Sequence, residues 1–185
     1  MVKRLLGVVV CASCIIPSGL AWAQERAPHT GSTAVGVDAG VFVPNNKGQL
    51  KTAPIVNALL EYYVTPRVSL RTMFGLTDPG FARESTDSLR QIPLRLDVNY
   101  NWEGGKVHPF VGAGAGAYFL QFKDNGQRIG ETETKLGFNL GGGLEYFTSR
   151  TVSLKGEARY HKIDEMQAGQ DPSGFVVTAG LKKYW

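Results

Sequence analysis

The sequence predicts an all-β fold: an eight-stranded antiparallel up-and-down transmembrane β-barrel. Three observations predict it. From Thr33 onward apolar residues recur with a period of two, not 3.6. The connections between the resulting strands alternate short and long, which matches short turns at one end of a barrel and longer loops at the other. Aromatic residues close the strands at both ends of an apolar band, where amphipathic rings suit a membrane interface.

Composition sets the outer limits. The 185 residues suffice for one domain. With 43% hydrophobic and 19% charged residues the chain is too apolar to be disordered. The 23 glycines follow no Gly-X-Y period. After the leader, no apolar run reaches the ~18 residues of a membrane helix. That excludes helical membrane spans and leaves barrels open. The formal charge is +4, of which Lys3 and Arg4 belong to the leader, leaving +2. The remaining bases are dispersed, which argues against a nucleic-acid partner.

Residues 1–23 read as a cleaved signal peptide. Lys3 and Arg4 form its charged start, Leu5 to Leu20 its apolar stretch, and Ala21-Trp22-Ala23 its cleavage pattern. Cys11 and Cys14 both fall inside it. The mature chain is therefore expected to lack disulfides, a thiol nucleophile and cysteine metal ligands. Residues 24–32 are polar and read as a short flexible tail. Residues 33–185 read as the barrel.

Each strand has one apolar face. The first carries Val35, Val37, Ala39, Val41 and Val43 against Gly36, Asp38 and Gly40. The second sets Val56, Ala58, Leu60, Tyr62 and Val64 against Asn57 and Glu61. After Thr65-Pro66-Arg67, the third sets Val68, Leu70, Thr72 and Phe74 against Ser69 and Arg71. The fourth pairs Ile92, Leu94, Leu96, Val98 and Tyr100 with Gln91, Arg95, Asp97 and Asn99. In the fifth, Val111, Ala113, Ala115, Ala117 and Phe119 alternate with Gly112, Gly114 and Gly116. The sixth sets Leu136, Phe138, Leu140, Leu144 and Tyr146 against Lys135, Asn139 and Glu145. The seventh sets Val152, Leu154, Ala158 and Tyr160 against Ser153, Lys155, Glu157, Arg159 and His161. The eighth carries Phe175, Val177, Ala179 and Leu181 against Val176, Thr178 and Lys182, ending in Tyr184-Trp185.

Two aromatic belts follow. One comprises Tyr62-Tyr63, Tyr100 with Trp102, Tyr146-Phe147 and Tyr184-Trp185; the other comprises Phe42, Phe74, Phe119 and Tyr160. The longer connections are 44–54, 75–90, 121–133 and 162–174. Alternation alone fits a soluble lipocalin-like ligand-binding barrel as well, with the apolar face inside. The double belt, the terminal aromatic and the small residues on the polar face favour the membrane version.

The pattern resembles the small Gram-negative outer-membrane barrels of the OmpA/OmpX-like eight-stranded group. The stretches that carry the resemblance are Glu61 to Leu70, Pro109 to Tyr118, Leu140 to Phe147 and Leu154 to Tyr160. It implies an outer-membrane location, periplasmic short turns, extracellular long loops and a monomer amid outer-membrane lipid and lipopolysaccharide. It also implies that Tyr184 and Trp185 serve as the C-terminal signal for the barrel-assembly machinery. Trp185 departs from the family's usual terminal Phe.

On this reading the interior carries Asp38, Glu61, Asp97, Glu145 and Glu157 with Arg71, Arg95, Lys135, Lys155, Arg159 and Lys182. Counting from the tight turns sets Glu61 opposite Arg71 and Glu145 opposite Lys155. A buried charge without a partner is expensive, and eight strands enclose little more than side-chain volume. The expectation is a plugged, salt-bridged lumen in a non-catalytic structural or surface-contact protein, with a narrow porin-like pore as the alternative. A lipid A hydrolase of the PagL type is a further alternative. That group resembles this chain in size and in a late-strand histidine, here His161, but Ile163 stands where its serine is expected, and Ser173 lies off the spacing. His29, His108 and His161 show no metal-ligand spacing, so no cofactor is expected, and the loop partner is left unknown.

Overall fold

The structure is a computed structural model that describes residues 28–46, 49–82, 87–166 and 171–185. The leader at 1–23 and the start of the tail lie outside the described residues. Eight strands follow one another: β1 (Thr33–Pro44), β2 (Ala53–Tyr63), β3 (Val68–Thr77), β4 (Ser88–Asn101), β5 (Val107–Asp124), β6 (Gln127–Phe147), β7 (Val152–Ile163) and β8 (Gly174–Tyr184). Each pairs antiparallel with the next, and β1 closes on β8 through pairs such as Val37↔Leu181 and Ala39↔Ala179. The result is a closed barrel with no free edge along its wall.

The face the alternation marks as apolar points outward. Leu60, Leu96 and Leu140 are 50%, 57% and 65% exposed, while Glu61, Asp97 and Asn139 beside them are buried. A soluble barrel requires the reverse, so the lipocalin-like alternative is excluded by the sense of the wall. Short turns at 64–67, 102–106 and 148–151 share one end with Thr33 and Tyr184; Pro44, Ala53, Thr77, Ser88, Ile163 and Gly174 bound the strands at the other.

Three expectations change. First, 121–133 is not a loop. β5 and β6 continue past the barrel as a hairpin closed by Asn125 and Gly126, both at positive φ (49° and 79°). Two positive φ values are what a type I′ turn requires, and Asn-Gly is its preferred pair. Second, the belts are thinner than expected. Tyr62, Tyr100, Trp102, Tyr146 and Trp185 face outward, but Tyr63, Phe147 and Tyr184 turn inward and pack with Ala34. Phe42 also turns inward, 2% exposed, against Ile55 and Val176. The period of two forces this: neighbours in a strand cannot share a face. Third, the described end of the tail is pinned. Gly31 N–H donates to Tyr63 O (2.8 Å), Tyr63 N–H donates to Ser32 O (2.9 Å), and Ser32 is buried.

Glycine makes room for the interior. Of the charged residues inside, Asp38 and Lys155 face Gly180 across strand pairs, Lys182 faces Gly36, Arg95 faces Gly116, Asp97 faces Gly114, Glu157 faces Gly143 and Arg159 faces Gly141. A Cβ at Gly114 would stand 2.2 Å from Asp97 Oδ1 and 2.4 Å from Leu96 O, whereas one at Gly156, on the outer wall, meets nothing within 4 Å. Gly114→Ala is therefore expected to destabilise the barrel by about 1–3 kcal/mol through overpacking. Gly156→Ala is expected to be neutral or slightly stabilising. Chemical denaturation in micelles, read by the mobility of unboiled protein on gels, checks both; equal midpoints would count against the steric account.

Candidate functional site

The chemistry of the chain is concentrated in the lumen. Alternation sends Glu61, Ser69, Arg71, Asp97, Asn99, Glu145 and Lys155 inward from successive strands, and all are buried. Five acids (Asp38, Glu61, Asp97, Glu145, Glu157) meet five bases (Arg71, Arg95, Lys155, Arg159, Lys182) there. Two centres organise them.

The first centre is Lys182 on β8. Its Nζ donates to Glu61 Oε2 and Glu145 Oε2, each at 2.7 Å. Ser69 Oγ donates to Glu61 (2.5 Å), and Ser153 Oγ and the Tyr184 hydroxyl donate to Glu145. The ammonium also lies 5.1 Å from the Tyr184 ring centroid. The second centre is Glu157 on β7. It accepts from Arg71 Nη1 (2.8 Å), Lys155 Nζ (2.8 Å) and Arg159 Nε (2.6 Å). Lys155 then reaches Asp38 (2.5 Å), which also accepts from Asn57 (2.6 Å). Arg159 extends to Asn139 and to Asn99 Oδ1 (3.2 Å), and lies 3.6 Å from Asp97.

The register counted from the turns holds: Glu61 pairs with Arg71 and Glu145 with Lys155. Yet these cross-strand neighbours are not the tight ion pairs. Arg71 Nε stands 3.9 Å from Glu61, while Glu61 bonds Lys182 two strands away through closure at β1. Side chains reach across the lumen as well as along the wall. Arg95 is held more loosely, 3.9 Å from Asp97, with Nη1 donating to His161 Nε2 (3.2 Å) and Nη2 contacting Met73 Sδ. Lys135 lies apart from the network. It pairs with Tyr118 on β5 near the long-loop end, forms an ion pair with Glu133 (3.3 Å), and remains 19% exposed. Its face follows the alternation, but its height puts it above the network.

Apolar tiers close over both ends. At the short-turn end Tyr63, Phe147 and Tyr184 pack together, and His108 lies 4.8 Å from the Phe147 ring. At the long-loop end Leu89, Tyr118, Leu120 and Ile163 from the strands meet Leu50 and Met166 from the loops, with Phe81 and Phe122 packed against them. Strand alternation does not mark Leu50, Phe81 or Met166, because loop residues have no period.

His161 sits between these tiers. Arg95 donates to its Nε2, so Nδ1 carries the proton and donates to the Tyr118 hydroxyl (3.0 Å). Ser173 Oγ is engaged by the backbone of Ile163, accepting from its N–H (3.0 Å) and donating to its carbonyl (3.2 Å). Both imidazole nitrogens and the hydroxyl are thus committed elsewhere, and the two side chains form no nucleophile–base pair.

At the long-loop rim Asp78 ties the β3–β4 connection to the wall, bonding Arg90 (3.1 Å) and Lys123 (2.9 Å). Burial raises the pKa of this carboxyl, but hydrogen bonds from Ser88, Lys123 and Arg90 outweigh it and hold the group below its ordinary value.

These features define an antiparallel barrel with an outward apolar wall and an ionic interior. The chain matches the family described as the outer membrane protein beta-barrel domain over residues 9–182, and it belongs to that family. Among solved structures it is similar to Neisserial surface protein A (13% identity, 85% of this chain and 99% of that one, TM-score 0.68). It is also similar to OprG of Pseudomonas aeruginosa (12%, 85% and 97%, 0.62) and to Ail of Yersinia pestis (16%, 84% and 99%, 0.55). At these identities the likeness is one of fold. No curated protein sequence matches the chain.

Glu61→Ala leaves Lys182 with one carboxylate in a buried site and should cost about 3–5 kcal/mol, against about 1 kcal/mol for the lipid-facing Leu60→Val. Chemical denaturation in micelles reads the difference, and equal midpoints would dismiss the ionic network as a source of stability. The depressed Asp78 pKa stabilises the folded rim above the ordinary aspartate value of 3.8, and this contribution is lost as pH falls through the lower folded value. Amide protection in the β3–β4 connection, taken relative to the intrinsic exchange rate at each pH, should therefore fall on acidification below that value, and Asp78→Asn should show the lowered protection already at neutral pH.

Proposed function

We propose that the chain resides in the bacterial outer membrane as a non-catalytic, non-conducting barrel that acts through its extracellular rim. One observation carries this reading: balanced charges bond across the lumen and apolar tiers lie above and below them. Ion passage would require breaking several charge-assisted bonds in a space too dry to solvate the partners, each break costing several kcal/mol. The lumen therefore serves as an internal strut. With the interior committed to structure, the loop end and the projecting β5–β6 hairpin are left for contact, as function on rigid scaffolds concentrates on connections. Ail, whose fold this chain shares, is named an attachment invasion locus protein, and one of its structures holds the heparin analogue sucrose octasulfate. That supports surface contact as a role this architecture accommodates. The lipid belt meets outer-membrane lipid and lipopolysaccharide, the barrel works as a monomer, and Tyr184-Trp185 present the last strand to the assembly machinery.

Reconstitution in planar bilayers tests the reading. The refolded chain should show no steady unit conductance. A reproducible open level would overturn the sealed lumen and install the narrow-pore alternative.

A further inference from the structure

The outer wall carries a depression that the lumen and loops do not account for. At mid-height on β8, β1 and β2 the outward side chains are Ala179, Ala39 and Ala58, and Val37, Val56 and Phe74 rise around them. They enclose an almost wholly apolar groove of about 630 Å³. A second hollow of about 580 Å³ shares Val37, Ala58 and Leu181 with it and runs on to Val152 and Lys183 at the short-turn end. The two make one continuous groove. From Ala179 to Lys183 is four residues, or about 13 Å at ~3.3 Å per residue. One leaflet's share of a ~30 Å hydrocarbon core is about 15 Å.

Lys183 stands where this groove reaches the interface, next to the outward Trp185. Its Nζ donates to Thr151 Oγ1 (2.8 Å), and it enters no ion pair among the described residues. The bases inside the barrel are engaged by its acids, whereas this one faces the headgroup level with its charge unmatched. Arg150, exposed in the adjoining β6–β7 turn, adds positive charge at the same end. Charge and shape together select the occupant. An isologous contact between two copies would set the same concavity against itself and leave it unfilled. A flexible acyl chain fills a groove of leaflet length, and a phosphate complements the lysine.

We propose that this groove binds one anionic phospholipid of the periplasmic leaflet, an acyl chain lying over Ala39 and Ala58 and the phosphate at Lys183. The site is on the outer wall, so it rests on the membrane placement and stands whether or not the lumen conducts.

Native mass spectrometry of the purified barrel, equilibrated in mixed micelles of phosphatidylglycerol and phosphatidylcholine, tests it. One phosphatidylglycerol should remain on each barrel, preferred over phosphatidylcholine by about tenfold. Ala58→Phe, which fills the groove, should cut retention at least about tenfold, while Val111→Phe on the opposite wall should leave it intact. Lys183→Gln should keep a lipid but lose the preference; it carries the test if the unboiled-gel shift shows that Ala58→Phe fails to fold. Equal retention and equal preference in all variants would overturn the proposal. So would a dimer that Ala58→Phe splits, because a second copy would then be the occupant.

Discussion

Charge neutrality in a narrow lumen is the constraint on which the rest of this barrel depends. An eight-stranded wall with an apolar exterior must turn its polar residues inward, where there is space for side chains and little for water. Every inward charge then needs a partner within reach. Of the five acids and five bases, eight meet that demand around two shared centres, Lys182 and Glu157, with Asp38 joined through Lys155, while Arg95 and Asp97 stand 3.9 Å apart beside them. Sharing ties together strands that are not neighbours. Lys182 links β8 to β2 and β6, and Arg71 links β3 to β7. The network thus braces the barrel across its diameter, which backbone pairing around the wall cannot do.

The glycines answer the same constraint. Arg95, Asp97 and Asn99 lie along β4 with their bulk directed over β5, where Gly116, Gly114 and Gly112 offer no side chain. A β5 with alternating large residues on both faces would leave no room for them. The glycine-rich run from Gly112 to Gly116 is accordingly a packing device of the polar interior, and its weak strand propensity is offset by the long side chains laid against it.

The fold and its two faces were legible from local alternation, and which face lies inside from the aromatic strand ends and the small residues of the polar face. Parity assigns each residue to a face, and it placed Asp38, Glu61, Arg71, Arg95, Asp97, Glu145, Lys155, Glu157, Arg159 and Lys182 on the buried one. Turn counting gave adjacent-strand register for the same reason. The actual ion partners were not legible, because Glu61 meets Lys182 only once β8 has closed on β1. Height was not legible either. Lys135 has interior parity but sits where β5 and β6 have already risen past the network. The Asn125-Gly126 pair did signal that extension, since few other dipeptides accept two positive φ values. The polarity of 121–133 hides the strands there, because a hairpin that rises past the barrel wall has no apolar face to bury.

On the proposed reading, an interior committed to structure leaves recognition to other surfaces. Side chains locked in a shared ionic network cannot also rearrange around a ligand without unpairing buried charges. His161 illustrates the point: a residue type suited to acid–base work is fixed by Arg95 and Tyr118, and the Ser173 hydroxyl is held by the Ile163 backbone. Two surfaces remain free of that restriction. The loop rim is anchored by local contacts such as Asp78 with Lys123, which can be remodelled without disturbing the charge balance below. The outer wall is coupled to the interior through the backbone alone, so a depression there can form by substituting small for large residues at no electrostatic cost. Strand alternation, which makes the barrel stable by separating charge from lipid, thereby also separates the residues that hold the fold from those available for contact.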